Sequence, residues 1–466
     1  MTTPGSQTSA ALANFTFPDL PSWAQDPEAP VPTQVSRALG QVKAAALFGV
    51  QESETRWPPQ VWSTLGPQLE QWCSKPLSLV VPLEQGGAGT SLHRNWLDAA
   101  VAELAKLELE GQTSLTLDPL EDLNRYQSTN DVVPTALTIV VLTILQDLEA
   151  RVIALQEALV AKEKEAQGVL IVGRTELQDA LPMGLDQVFA AWGGMVARDR
   201  WRLSTEQERV RPGALGGTAL GTCYFAPRPY LLAAERHLRR LTGLPLSRSQ
   251  NLPDEVAHGD KYAEAAGAMA RVAENLWKIA GDLSLYTSSL CGELQHPHVQ
   301  DGSTIMASKT NPVFLELIRG LSLSAQGEAH KISLYTQNGQ LQLNPFTPFL
   351  FRSFLRMGAD LWKALTTLAH RLLPALTWDA AKLESRLLAS PALLNSLRDL
   401  VPYATLQAAS RQTAHLPPPT NWAELQARLQ PLLGLPPQVL HRRLCPQAFQ
   451  QPYIAPQQTT PAGDNP

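Results

Sequence analysis

The chain has 466 residues, 44% apolar and 17% charged, with a formal net charge of −5. This balance excludes disorder as the main state, because enough apolar surface is available to bury. The mild acidity excludes the concentrated basic face of a nucleic-acid binder. Four scattered cysteines (Cys73, Cys223, Cys291, Cys445) lack metal-ligand spacing and read as reduced thiols, so no metal site is expected.

In chain order, residues 1–33 are rich in Pro, Ser and Thr and read as an irregular leader. No basic residue precedes Arg37 and no apolar run opens the chain, so no secretory signal is expected. Residues 34–132 read as an N-terminal helical domain. Residues 133–374 read as a central domain of long helices. Within it, Thr135 to Gln167 lacks Pro and places large apolar residues three and four apart along one helical stripe. Asp254 to Leu290, Pro312 to Tyr335 and Pro348 to Leu373 repeat that pattern. Residues 375–449 read as a small C-terminal helical domain, and 450–466 as a disordered Pro/Gln-rich tail. The longest apolar run, Ala136 to Leu145, is about half the length that crosses a bilayer. The expectation is an all-α, soluble, cytoplasmic protein without a membrane partner. Its long stripes bury best against further copies, so oligomerisation is expected.

Four segments between the helices carry the polar chemistry. They are Glu84-Gln85-Gly86-Gly87-Ala88-Gly89-Thr90-Ser91, Gln127-Ser128-Thr129-Asn130-Asp131, Gly173-Arg174-Thr175-Glu176-Leu177-Gln178-Asp179-Ala180, and the run from Gly302 to Pro312. Several place hydroxyl and amide side chains at or near helix N-termini, whose free N–H groups suit a carboxylate or phosphate. Asn311 is expected as an N-cap with Pro312 as the first helical residue. The bland reading is that these residues only cap and turn.

Gly302-Ser303-x-x-Met306-x-x-Lys309-x-Asn311-Pro312 resembles the signature of the fumarase/aspartase superfamily. GAGTS, QSTND with PTA, GRT-x-LQDA and Gly216-Gly217-Thr218-Ala219-Leu220-Gly221-Thr222 follow the family's order, and GAGTS and QSTND look more like aspartase than fumarase. The resemblance covers about residues 34–450. It implies an all-α fold with a long central helix bundle and small N- and C-terminal helical domains. It further implies a homotetramer with active sites shared among three chains, and a C4 dicarboxylate as substrate. The implied reaction is reversible β-elimination of ammonia or an amine from aspartate or a derivative, giving fumarate without a cofactor. By the same resemblance Ser303 is the catalytic base. Thr90, Ser128, Thr129 and Thr304 hold the carboxylate that takes up charge as an aci-carboxylate, Lys309 and Asn311 bind the other carboxylate, and Asn130 and Thr175 lie near the leaving group. Neutral donors aimed at that developing charge lower the barrier most.

The departures from the family pattern fall in functional places. Glu176 stands where GRT normally continues with His, and Gln342, in the G-Q-L-Q-L-N run from Gly339, stands where a carboxylate partners that His. The exchange adds one negative charge beside a dianion, worth about 4 kcal/mol at about 4 Å and an effective dielectric of about 20. A cationic amine would accommodate Glu176, whereas water would not. Gly221-Thr222-Cys223-Tyr224-Phe225 replaces G-T-G-x-N, losing a small residue and an amide. His93 and Arg94 stand beside Asn95 where several Asn are usual. His296-Pro297-His298 reads as a solvated loop pair. The leading reading is a carbon–nitrogen lyase of the aspartase type. The alternatives are a catalytically impaired member with a structural or regulatory role, and a fumarase-type hydratase.

Overall fold

The computed structural model describes residues 15–109, 117–300 and 302–450, so the expected tail beyond Gln450 and the first part of the leader lie outside the described residues. In chain order the main elements are α1 (Thr33–Glu54), α2 (Pro59–Ser74), α3 (Thr90–Leu109), α4 (Thr129–Glu165), β1 (Leu170–Thr175), β2 (Gln178–Gly184), α5 (Leu185–Val210), α6 (Arg228–Thr242), α7 (Asp260–Tyr286), α8 (Val313–Thr336), α9 (Thr347–Thr366), α10 (Ala380–Ala389), α11 (Tyr403–Thr413) and α12 (Trp422–Leu433). The all-α expectation holds. The one hairpin of any length among the described residues is β1–β2, and the other strand pairings are two residues long.

The long apolar stripes form the expected helices, with instructive changes at their ends. α4 has 37 residues and begins at Thr129, ahead of Thr135, giving a rod of about 55 Å. A reciprocal cap sets that start. The Ser128 hydroxyl accepts from Asn130 N at 3.2 Å, and Asp131 Oδ1 accepts from Ser128 N at 2.9 Å. Pro134 therefore lies inside the helix, in its second turn. The stretch from Asp254 to Leu290 is interrupted at His258–Gly259, where a short helix (Leu252–Ala257) ends and α7 begins. α8 starts at Val313, one residue later than expected, and no side chain caps it; the Asn311 amide N–H donates to the Gly302 carbonyl at 2.7 Å. The last stretch is α9 followed by a π-helical turn over Thr367–Leu372.

Two compact units result. The first comprises residues up to Leu155, Val196–Gly281 and Val299–Leu368; the second comprises Gln156–Met195, Asp282–His298 and residues from Ala369 onward. In the first unit α1 packs on α6 and α8 on α9. Close approach depends on small residues. A methyl group on Gly49 would lie 3.0 Å from Ala234 N, and one on Gly358 would lie 2.8 Å from the Ile144 side chain. The leader contributes buried Trp23, whose indole donates to Asp147 at 3.0 Å. In the second unit β1 lays Leu170 and Val172 against Leu387, Leu393, Leu397 and Leu429 from the C-terminal helices. α4 is long and apolar enough to cross a bilayer, yet 83% of its most apolar window is buried in the protein, as in a core helix.

Candidate active site

The N-terminus of α4 gathers most of the candidate residues. Ser128 caps it, Thr129 is its first residue, and Asn130 reaches across to donate to the Ala219 carbonyl at 2.9 Å. All three are partly exposed. Helix N–H groups and the helix dipole favour an anion at this position.

Two neighbouring loops frame that helix end. In the first, Gly87, Ala88 and Gly89 run consecutively at positive φ (87°, 58° and 93°), delivering the chain into α3. Gly89 is required both for its φ and because a Cβ there would meet Val133 of α4 at 3.1 Å. Thr90 is exposed at the start of α3, with its hydroxyl donating to the Gly87 carbonyl at 2.8 Å. The second loop, 216–225, is organised by a buried carboxylate. Asp131 Oδ2 accepts from Gly216 N and Thr218 N, both at 3.0 Å. Burial raises the Asp131 carboxyl to about 7, against the pull of three backbone N–H donors and of Lys43. Thr218, Cys223 and Phe225 all sit in the left-handed region of this loop, at φ 58°, 55° and 68°. Cys223 is half-buried and Phe225 exposed.

Beneath Thr129 lies a polar network that sequence reasoning did not assign to the site. Lys43 of α1 is fully buried, its ammonium 3.2 Å from His93 Nε2 and 3.1 Å from Asn124 Oδ1. His93 Nδ1 lies 3.1 Å from Thr129 Oγ1. Burial pushes the Lys43 ammonium and the His93 imidazolium well below their ordinary ranges. The signal for Lys43 was present: a lone cation inside the apolar run Val42 to Leu47 must be paired where it is buried.

The signature loop is a separate exposed turn. Ser303 Oγ accepts two backbone N–H groups, from Ile305 at 3.1 Å and Met306 at 2.9 Å. Such donors stabilise an alkoxide. Thr304 and Lys309 are exposed, and the Asn311–Gly302 bond closes the base of the turn. Gly302 is tightly placed, since a Cβ would come 2.2 Å from the Lys309 carbonyl oxygen. Among the described residues no hydrogen bond or ion pair joins this loop to the α4 cluster. Gln342 is exposed in a tight turn bridged between Gln340 and Leu343.

The Gly173–Ala180 segment is not a helix N-terminus but the β1–β2 hairpin. Thr175 pairs with Gln178, and Glu176 and Leu177 form the two-residue turn at φ 52° and 61°. Both Thr175 and Glu176 are exposed. Arg174 holds the hairpin with a two-pronged bond to Glu293, both contacts 2.8 Å, and Glu293 is buried. His296 turns its Nδ1 onto the Pro297 carbonyl at 3.1 Å.

These features define a helical scaffold that gathers neutral hydroxyl and amide side chains around one helix N-terminus, beside a glycine-rich loop at positive φ and with a separate exposed serine turn. Comparisons with known proteins give the class a family. A family model described as a lyase matches residues 43–327. The chain is 36% identical over 308 residues to an aspartate ammonia-lyase of Helicobacter pylori, covering 64% of each chain. It thus spans slightly less than two thirds of that relative's own length. It is 31% identical over 334 residues to a Bacillus aspartate ammonia-lyase, covering 70% of this chain and 71% of the relative. A solved fumarate lyase:delta crystallin from Brucella melitensis, bound to cobalt, is 30% identical with a TM-score of 0.82, covering 96% of this chain and 95% of that one. A class II fumarase from Schistosoma mansoni shares the fold at the same TM-score and 21% identity. The chain belongs to the lyase family of the fumarase/aspartase superfamily.

Proposed function

We propose that the protein is a carbon–nitrogen lyase of the aspartase type, acting on aspartate or an N-substituted aspartate. The observation that carries this reading is the donor cluster at the α4 N-terminus, where Ser128, Thr129 and Asn130 stand beside the loop leading to Thr90. In the proposed reaction Ser303 takes the proton from the carbon next to the accepting carboxylate. The electron pair spreads into that carboxylate as an aci-carboxylate, held by Thr90, Ser128, Thr129 and Thr304. It then returns to form the carbon–carbon double bond as the C–N bond breaks, releasing the amine near Asn130 and Thr175. Lys309 and Asn311 hold the second carboxylate. The two N–H groups on Ser303 Oγ support its assignment as base, because they offset the cost of an alkoxide near neutral pH. Glu176 is accommodated by the positive charge of the amine. The assembly we propose is a homotetramer with shared sites, in the cytoplasm.

The test is to follow the ultraviolet absorbance of fumarate's conjugated double bond as purified protein meets L-aspartate, N-substituted aspartates and malate. Fumarate from an amine but not from malate supports the reading. Fumarate from malate alone overturns it in favour of a hydratase. No product from any of them, with a folded protein, favours an impaired member, the reading to which the paired changes at Glu176 and Gln342 also point.

A further inference from the structure

His93 is the one departure from the family's asparagine-rich run that the structure ties directly to a candidate ligand-binding side chain. Its ring bridges two elements. Nε2 faces the Lys43 ammonium of α1, and Nδ1 faces the Thr129 hydroxyl at the start of α4. Lys43 is itself held by Asn124 and lies over the Trp96 ring, 5.6 Å from its centroid, so its head group is fixed in place. The other titratable side chains around this network are Asp131 of α4 and Tyr230 of α6, both buried.

The direction of the hydrogen bonds follows from what each group can do. The nearby Asp131 carboxylate favours the charged form of Lys43, and an ammonium only donates, so with Lys43 charged the ring nitrogen it meets is the acceptor. A buried neutral imidazole whose Nε2 accepts carries its proton on Nδ1. Nδ1–H then donates to Thr129 Oγ1, and the threonine's own proton must point elsewhere.

We infer that Lys43 and His93 form a one-way hydrogen-bond relay that locks the Thr129 hydroxyl as a donor toward the anion site at the α4 N-terminus. His93 is thus a positioning residue: it touches no ligand but decides which way Thr129 is polarised. The benefit is preorganisation. A threonine free to rotate would divide its donor between neighbours and ligand, whereas the relay leaves one direction open. Asparagine at position 93 could supply an N–H in the place of Nδ1–H, so the chemistry needed is a short, fixed donor rather than a ring.

This inference rests on reading the α4 N-terminus as a carboxylate site, and the experiment separates the two. Succinate binding is measured by isothermal titration for wild type, Thr129→Val, His93→Phe, His93→Asn and the Thr129→Val/His93→Phe double variant, each checked by thermal melting. Thr129→Val should weaken succinate on the order of tenfold, the size of one hydrogen bond to a charged group. His93→Phe keeps the bulk and loses the donor, so it should weaken binding by a similar factor. The double variant should be no weaker than Thr129→Val, because both changes remove one unit. His93→Asn should restore most of the affinity. If Thr129→Val binds like wild type, the carboxylate reading fails and the relay with it. If Thr129→Val is weak but His93→Phe is normal, the carboxylate reading stands and the relay is overturned. Should His93→Phe not fold, His93→Leu, which also removes the donor, takes its place: a loss matching Thr129→Val supports the relay, and normal affinity overturns it.

Discussion

The 216–225 loop shows how a residue can keep a conformation whose natural occupant it has replaced. Cys223 and Phe225 stand where the family pattern carries Gly and Asn, and both adopt left-handed backbone, at φ 55° and 68°. Gly and Asn tolerate that region at little cost, whereas other L-residues lose about 1–2 kcal/mol there. Cys223→Gly and Phe225→Asn should therefore each stabilise the protein by about 0.5–1 kcal/mol, part of the relief being offset by the freer unfolded chain of glycine. Chemical denaturation should show raised midpoints with unchanged slopes; lowered midpoints would mean that the two side chains earn their positions by packing. Sequence comparison could flag the substitutions but not this cost, because φ is not written in residue identity. The same scale contains the proposed base. Ser303→Ala should reduce turnover by orders of magnitude while succinate affinity stays within a few-fold, since the proposed carboxylate donors remain. Steady-state kinetics with calorimetry on the same preparation would check both halves.

At the scale of elements, the long helices were legible and the hairpin was not. α4 and α7–α9 announce themselves by apolar residues three and four apart over many turns, a signal that chance rarely sustains. β1–β2 has no such signal. Its turn residues, Glu176 and Leu177, are poor formers of the tight turn they make, and what fixes the hairpin is remote: the Arg174–Glu293 clamp and the leucines of the C-terminal helices. Helix ends were missed for a related reason. Asn311 had the right chemistry for a cap, but the bond from its amide N–H to the Gly302 carbonyl ties the side chain to the loop instead. α12 has a cap that does follow its sequence. Asn421 accepts from Glu424 N at 3.0 Å, and Glu424 Oε2 accepts from Thr420 N and Oγ1 at 2.8 and 2.7 Å. Those bonds, chiefly from the Thr420 backbone, and the Arg428 partner lower the Glu424 carboxyl to about 2 from the ordinary 4.5. A lowered carboxylate stabilises the fold above its unfolded value and ceases to do so as pH falls through the folded one. Glu424→Gln should therefore lower the melting temperature near neutral pH, and the difference from wild type should shrink as pH drops from about 4.5 toward about 2. A gap that persists across that range would show that the carboxylate charge is irrelevant to the cap.

At the scale of the whole molecule, the long helices carry apolar residues that one chain leaves uncovered. Trp201 of α5 is 76% exposed and Leu323 of α8 is 57% exposed. For the proposed homotetramer, in which partner helices would cover such side chains, light scattering should give a mass of about 200 kDa, four times the 50.8 kDa chain. A 50.8 kDa particle would remove the proposed shared sites with it. The candidate residues were readable as motifs, but their grouping was not: Thr129, His93 and Lys43 come from three helices, and only folding brings them together. α4 has one further consequence, which belongs to the moments before the fold exists. As the newly made chain leaves the ribosome, Thr129–Glu165 has the length and greasiness of a bilayer-spanning segment, and its concealment depends on helices encoded on both sides of it. Until the later ones have been synthesised, that segment has only its neighbours upstream, chaperones or other nascent chains to hide against, so the order of synthesis leaves this stretch open to aggregation while the chain is incomplete.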